Sequence, residues 1–300
     1  MRLDVLEHGH RLRVRLFLSM TARLSGVEMA DVAKTLLYRP EFFGRAMVAL
    51  SAEMMRGPSF WTAGEREYLA LYTARLHRCP FCIDSHAEMT RIASAGEIDP
   101  DDPGSARPEL TAVLGFVEKV TRTPEQVRAP DLDGVRAAGV PDAAVVQALH
   151  VNLIWNVVNR FGNAFGFELR EGQLEKGTRA LHRLGYRFPG LLTHGKGRVE
   201  ERSVTAELER AVFGSPAETE PAIRRAAATG DPLPERWEPY AATVRDASYR
   251  VTNDDIDRLL AAGHSEDAIF EITVCAAVGA ALRSLDAGLR AMRGESEKSP

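Results

Sequence analysis

The sequence predicts an all-α protein, and two observations support this fold class. Apolar residues recur at intervals of three and four along most of the 300-residue chain, which is the spacing of an amphipathic helix. Segments that alternate apolar and polar residues, which would indicate strands, are scarce. Hydrophobic residues make up 45% and charged residues 27% of the chain, and both values are typical of a folded globular protein.

Capping residues and prolines mark where the predicted helices begin. Thr62 and Glu65 form a capping-box signature, so a helix is expected to begin there. Pro80 cannot lie inside a helix but fits the first turn of one, which makes Cys79 the expected N-cap of the next helix. We expect helices near residues 8–24, 27–36, 40–55, 62–77, 80–94, 108–122, 131–138, 142–167, 171–183, 204–213, 219–228, 236–248, 253–262 and 266–292.

The chain is predicted to contain two related halves. Proline and glycine follow Arg187 at 189–190, and two further glycines lie within 194–197, which predicts a linker. At a constant offset of 124, residues 131–139 align with residues 255–263 with five of nine positions identical, and a predicted long helix follows each segment. We interpret this as a decayed internal duplication.

The predicted units are therefore a helical domain at 1–188, which carries a C-x-x-C motif, and a degenerate helical repeat at 189–300, which lacks it. The second unit is expected to contribute scaffold and no chemistry, because the offset replaces every candidate site residue. The offset pairs Cys79 with Ser203, Cys82 with Ala206, His86 with Arg210 and Glu67 with Leu191.

The segment 67–86 contains the strongest candidate for a functional site. Cys79 and Cys82 form the C-x-x-C pair, His86 follows four residues after Cys82, and Glu67 lies twelve residues before Cys79. On a helix that begins at Pro80, residues 79, 82 and 86 share one face. The positive end of that helix favours an anion, so we expect it to stabilise a thiolate. A dithiol with a base nearby has the groups required for reversible thiol oxidation.

The spacing E-x11-C-x-x-C-x-x-x-H on helices resembles that of the alkylhydroperoxidase D-like branch of the carboxymuconolactone decarboxylase family. The resemblance is specific over residues 53–89 and looser over about 30–170, and it includes the segment 54–58 and the asparagine-rich helix at 151–167. It implies an all-helical alkylhydroperoxidase-like fold, a homo-oligomer, and a cysteine pair that reduces peroxides.

By matching positions, the resemblance implies that Cys82 is the peroxidatic thiol and Cys79 the resolving or partner-facing thiol, with His86 and Glu67 as a proton relay. Phe81 departs from members that carry a histidine between the cysteines, so a longer relay is not implied. The predicted function is a thiol-dependent peroxidase or disulfide oxidoreductase that reduces small hydroperoxides. The disulfide would be reopened by a dithiol or lipoyl-type reductant, and no cofactor is expected.

Other interpretations of the cysteine pair stay open. A structural zinc site requires four ligands, and the third cysteine, Cys275, lies in a distant apolar segment that favours a buried, inert thiol. A thioredoxin-like site would need a strand before the motif, where the sequence predicts a helix. A cofactor-free lyase of the carboxymuconolactone decarboxylase type and a non-catalytic oligomeric scaffold are the alternatives from other functional classes.

A polar stripe runs along the predicted helix at 142–167. Its amides could either bridge neighbouring helices or line a substrate pocket, and Arg160 and His150 beside it are weaker candidates for site contacts. The stripe consists of Asn152, Asn156, Asn159 and Asn163. The tryptophans, including Trp155, are expected to be core or interface residues. The sequence has no G-x-G-x-x-G or Walker pattern, so nucleotide and flavin cofactors are not expected.

Charge and hydropathy limit the partners. The net charge of −4 gives no electrostatic reason to expect nucleic acid or an anionic membrane. No apolar segment is expected to approach the roughly 20 residues that span a bilayer. A reducing compartment would keep the cysteines as thiols, so a cytoplasmic location is expected.

Overall fold

The computed structural model describes residues 1–193, 205–234 and 236–295. Within these ranges every regular element is a helix, so the prediction of an all-α fold is confirmed. The predicted linker at 194–197 and Ser203 lie outside the described residues. The α-helices are α1 (Val5–His8), α2 (Leu12–Ser25), α3 (Asp31–Tyr38), α4 (Arg45–Arg56), α5 (Ala63–His77), α6 (Pro80–Ala93), α7 (Pro108–Arg122), α8 (Asp133–Ala137), α9 (Asp142–Phe165), α10 (Thr178–Leu184), α11 (Gly190–Thr193), α12 (Ala206–Gly214), α13 (Pro221–Thr229), α14 (Glu238–Ala247), α15 (Asn253–Ala261) and α16 (Glu266–Arg293).

Shorter helical turns connect these helices. Two are π-helical and precede α4 and α10, and four are 3₁₀-helical. The π-helical turns are Pro40–Gly44 and Gln173–Gly177, and the 3₁₀ turns are Pro103–Ser105, Pro124–Gln126, Ala129–Leu132 and Ser248–Arg250.

Two predicted helix starts are confirmed at atomic detail. The Thr62 hydroxyl accepts a hydrogen bond from the Glu65 amide at 3.2 Å, and the Glu65 carboxylate accepts one from the Thr62 amide at 2.8 Å. Cys79 is the N-cap of α6 and Pro80 its first residue. The predicted helix at 8–24 is wrong at its start, because Gly9 ends α1 by donating to the Val5 carbonyl and α2 begins only at Leu12.

The two long helices α9 and α16 pack against each other at the centre of one continuous hydrophobic core. By length and composition α16 could cross a membrane, which corrects the expectation that no segment approaches that length. The turn and helix at 129–137 pass the same test together with α9, although the pair is bent by 113°. In α16, 83% of the most apolar window is buried inside the protein, as in the core helix of a globular fold.

The offset of 124 relates secondary structure as well as sequence. The 3₁₀ turn Pro124–Gln126 corresponds to Ser248–Arg250, the helical residues 129–137 to α15, and the start of α9 to the start of α16. Asp131 and Asp255 each accept a hydrogen bond at 2.8 Å from the backbone amide three residues before. Each segment ends at a glycine of positive φ, +80° at Gly139 and +88° at Gly263. The division into units 1–188 and 189–300 stays a prediction, and the core is continuous across it.

The turn between α5 and α6 holds the cysteine pair in place. Arg78 adopts a left-handed conformation with φ of 53° and ends α5, so that Cys79 begins the next helix. Residues of the second half support this turn. The Arg78 guanidinium lies 4.7 Å above the ring of Tyr249. Asn163 donates from one amide nitrogen to the His77 carbonyl at 2.9 Å and to the Ser248 hydroxyl at 3.1 Å.

Candidate active site

The two cysteines of the C-x-x-C motif are free thiols whose sulfur atoms lie 2.8 Å apart. Cys79 is the N-cap of α6 and Cys82 is the third residue of that helix, as the sequence predicts. Both side chains are buried, each with 1% of its surface exposed. A small movement of the two sulfur atoms would therefore allow a disulfide to form.

A buried carboxylate of α5 and a buried histidine of α6, the helix that carries the cysteines, form a hydrogen-bonded pair. The His86 Nδ1 atom is 2.8 Å from Glu67 Oε2, which brings two elements, α5 and α6, together at the site. His86 lies one helical turn after Cys82 on α6. The structure thus brings together Glu67 and His86, the two residues that were predicted to form a relay. Within the described residues, no hydrogen bond joins His86 to either sulfur atom.

Two further residues hold Glu67, and sequence reasoning missed both. Arg56 donates to Glu67 Oε1 at 2.6 Å, and the Tyr186 hydroxyl lies 2.9 and 3.0 Å from the two carboxylate oxygens. Arg56 lies in the 54–58 segment that supports the family resemblance, so its position was a usable signal. Tyr186 follows α10 with a φ of 64°, which is rare for a bulky residue, and nothing in the sequence indicates that it reaches Glu67.

These contacts determine the charge of Glu67 and the tautomer of His86. Although burial alone would raise the pKa of Glu67, the hydrogen bond from His86 and the charge of Arg56 hold that pKa below its usual value. The carboxylate is therefore ionised at neutral pH and can only accept hydrogen bonds. His86 Nδ1 must carry the proton of the hydrogen bond to Glu67, which leaves Nε2 as the basic nitrogen.

The expectation that the helix end stabilises a thiolate is wrong for Cys82. Complete burial, together with the neighbouring Cys79 thiol, raises the pKa of Cys82 well above its usual value. The largest cause is the hydration that a thiolate would lose in this buried position. Cys82 is therefore a neutral thiol at rest and needs a base before it can act as a nucleophile.

Helix α9 packs against α6 at the candidate site. The ring of Trp155 packs edge-on against His86 with centroids 3.9 Å apart, so this tryptophan, which was expected to be a core or interface residue, also contacts the candidate site. Gly162 faces Cys79, because a Cβ atom built on this glycine would lie 3.6 Å from Cys79 Sγ.

Three of the four asparagines in the polar stripe make structural hydrogen bonds. Asn152 accepts from two threonine hydroxyls, Asn156 contacts His77 and Arg160, and Asn163 binds the turn before α6. Arg160 donates to the Arg245 carbonyl at 2.9 Å and so joins the two halves rather than contacting the dithiol. Burial lowers the pKa of His150, and no described residue forms a hydrogen bond with it.

Cys275 lies apart from the site, fully buried in α16, where burial raises the pKa of its thiol. Among residues 1–193, 205–234 and 236–295, no group of three or more histidine, cysteine, aspartate or glutamate side chains is arranged to hold a metal ion.

Comparisons with known proteins gave matches among solved structures. No protein-family model matches the chain, and no curated protein matches it. An alkylhydroperoxidase AhpD core, an uncharacterized peroxidase-related protein from Ralstonia eutropha JMP134, is 22% identical with a TM-score of 0.48 over 57% of this chain and 92% of that chain. An uncharacterized peroxidase-related protein from Silicibacter sp. TM1040 is 20% identical with a TM-score of 0.45 over 55% and 88%.

Both solved structures are described as peroxidase-related proteins, and the first also as an alkylhydroperoxidase AhpD core, which is the kind of protein that the sequence motif resembles. At this level of identity the likeness concerns the helical fold, and it assigns no activity and no residue role to this chain.

Proposed function

We propose that this protein is a thiol-dependent peroxidase that reduces hydroperoxides through the Cys79–Cys82 dithiol. One observation carries the proposal. The His86–Glu67 hydrogen bond at 2.8 Å leaves the basic nitrogen of His86 free, one turn from a thiol that needs a base. The second thiol lies 2.8 Å from the first, close enough to trap an oxidised sulfur as a disulfide.

The cycle begins when His86 Nε2 takes the proton of Cys82. The ionised Glu67 stabilises the resulting imidazolium, and Arg56 and Tyr186 hold the carboxylate in position for this task. The thiolate attacks the outer oxygen of the hydroperoxide, so that an S–O bond forms as the O–O bond breaks. His86 returns the proton to the departing alkoxide, which leaves as an alcohol, and Cys82 becomes a sulfenic acid.

Cys79 then completes the oxidation. Its sulfur attacks the sulfenic acid of Cys82, a disulfide forms and water leaves. A separate dithiol, which a lipoyl group could supply, reopens the bond through a mixed disulfide and is itself oxidised. The proposal includes a small hydroperoxide as substrate, a homo-oligomeric assembly and a reducing, cytoplasmic setting in which the thiols are regenerated.

A disulfide oxidoreductase is the second candidate, because the same close pair of thiols would serve disulfide exchange with a partner dithiol. The relay favours the peroxidase. A peroxide reaction must deliver a proton to a poor alkoxide leaving group, and in this proposal His86 supplies that proton.

Turnover assays test the proposal. The reduced protein is mixed with cumene hydroperoxide and dihydrolipoamide, and peroxide consumption is followed. We expect repeated turnover by the native protein, none by Cys82→Ser, and a dimedone-reactive sulfenic acid that accumulates in Cys79→Ser. Full turnover by Cys82→Ser would refute the assignment. Exchange with disulfide substrates but not with hydroperoxide would favour the oxidoreductase, and stoichiometric zinc in the purified protein would favour a non-catalytic scaffold.

A further inference from the structure

One amide in the polar stripe has no structural role in hydrogen bonding. Asn159 is fully buried, and neither its Oδ1 nor its Nδ2 atom has a hydrogen-bond partner within the described part of the chain. The other three asparagines of the stripe each make at least one side-chain hydrogen bond. An amide that is buried without hydrogen-bond partners destabilises the fold, because it loses its hydration and gains nothing in return. A fold that keeps such a residue requires an explanation for it.

The register between α6 and α9 shows what Asn159 faces. Trp155 lies level with His86, since their rings are in contact, and Gly162 lies level with Cys79. The two helices therefore run in opposite directions along this contact. Both rise about 1.5 Å per residue. Asn159 is three residues from Gly162, as Cys82 is from Cys79, so Asn159 lies level with Cys82.

Asn159 also lies on the side of α9 that faces the site. It is four residues after Trp155 and three before Gly162, and residues at these spacings share one face of a helix. The fold therefore places a buried, unpartnered amide opposite the sulfur atom that is proposed to react.

We propose that the Asn159 amide binds the hydroperoxide group at Cys82. This inference rests on the proposed peroxidase function and adds a substrate-binding residue to it. A hydroperoxide has an O–H donor and oxygen acceptors, which match an amide that offers both an acceptor and a donor. Asn159 Oδ1 accepts from the O–H group, and Nδ2–H donates to the oxygen that leaves.

The second contact stabilises charge as it develops. When the Cys82 thiolate attacks the outer oxygen, the O–O electron pair moves to the inner oxygen, which becomes an alkoxide until His86 protonates it. A fixed N–H donor at that oxygen is worth most in a buried site, and loss of one such donor typically costs about 10²-fold or more in rate.

Substitution of Asn159 by leucine, of similar size, and by alanine tests the proposal. Three quantities are measured: the rate of Cys82 oxidation by cumene hydroperoxide, the rate of Cys82 alkylation by iodoacetamide, and the melting temperature. We expect both variants to be oxidised about 10²-fold more slowly and to be alkylated at nearly the native rate. The leucine variant should be at least as stable as the native protein, because it removes an unpaired buried amide. Alanine, which leaves space, excludes simple blocking by leucine.

Asn152→Leu is the matched control. It lies in the same stripe but bonds to Thr73 and Thr121, so it should lower the melting temperature and leave the oxidation rate of the folded protein unchanged. Native oxidation rates in both Asn159 variants would overturn the proposal while the peroxidase function stands. An equal slowing of alkylation and oxidation would also overturn it, because the amide would then act on the thiol. A native protein that is alkylated but inert to hydroperoxide would refute the proposed function itself.

Discussion

The helices α9 and α16 correspond to each other at the offset of 124, yet the side chains at their corresponding positions differ in size and polarity. At the offset of 124, Trp155, which packs against His86, becomes Gly279. A Cβ atom at Gly279 would overlap the backbone of Ala228, so α13 packs directly on α16 at this point. The asparagine stripe of α9 becomes Ala276, Ala280, Arg283 and Ala287 in α16.

This difference shows that the helical frame and the site are separable. The first segment has large and polar side chains on α9, among them Trp155, which packs against His86 of α6. The second uses glycine and alanine to close its helices on one another and so contributes packing. Its contacts through Ser248 and Tyr249 support the turn that carries the cysteines.

Loss of the relay should have the largest effect. We predict that His86→Ala and Glu67→Gln slow peroxide-driven oxidation of Cys82 by about 10²–10⁴-fold at neutral pH, because the buried thiol loses its base. Stopped-flow measurement with a fluorescent readout of Trp155 would follow the reaction. Arg210→Ala, at the position equivalent to His86, is the control and should retain the native rate. Native rates in both relay variants would return these residues to structural roles.

The raised pKa of Cys82 predicts how its reactivity depends on pH. Since burial and the Cys79 thiol raise the pKa of Cys82, the thiolate fraction is small at neutral pH and grows as pH rises. Alkylation of Cys82 by iodoacetamide should therefore accelerate by about tenfold per pH unit and continue to do so above pH 9. A Cys275→Ala background removes the third thiol from the measurement. A rate that levels off below about pH 8 would mean that the helix end outweighs burial.

The close packing of α13 on α16 in the second segment should not tolerate a side chain at Gly279. Gly279→Ala forces α13 and α16 apart and should destabilise the fold by about 1–3 kcal/mol or more. Gly115→Ala is a matched control in α7, where a Cβ atom would meet no neighbour, and it should be neutral or stabilising by up to about 1 kcal/mol. Urea denaturation measures both, and equal stabilities would contradict the packing difference.

Cys275→Ala should have the smallest effect. The thiol is fully buried in α16, away from the dithiol, so turnover should stay within about twofold of the native value. A peroxide-consumption assay checks this, and a large loss of turnover would place chemistry in the second segment.

The sequence predicted most of the helices and the core of the site because the signals were local. Capping by Thr62, the proline after Cys79 and the C-x-x-C spacing each involve residues close in the chain, and the structure agrees with all three. Glu67 was predicted from spacing although its contact with His86 depends on tertiary packing.

The features that the sequence did not predict depend on contacts between residues far apart in the chain or on complete burial. Tyr186 reaches Glu67 across 119 residues of sequence, and no local pattern encodes that contact. The raised pKa of Cys82 was missed because helix position is visible in the sequence, whereas complete burial is not. Trp155 was expected from its residue type to be a core or interface residue. It is buried, and the expectation did not include its contact with His86.

The most direct test of the central claim, that chemistry resides in the first segment alone, is to map the cysteines after oxidation. The reduced protein is treated with an equimolar amount of hydroperoxide, remaining thiols are blocked with N-ethylmaleimide under denaturing conditions, and the peptides are identified by mass spectrometry. We predict a disulfide between Cys79 and Cys82 and a fully blocked Cys275. A disulfide from either residue to Cys275, or oxidation of Cys275 alone, would contradict the claim.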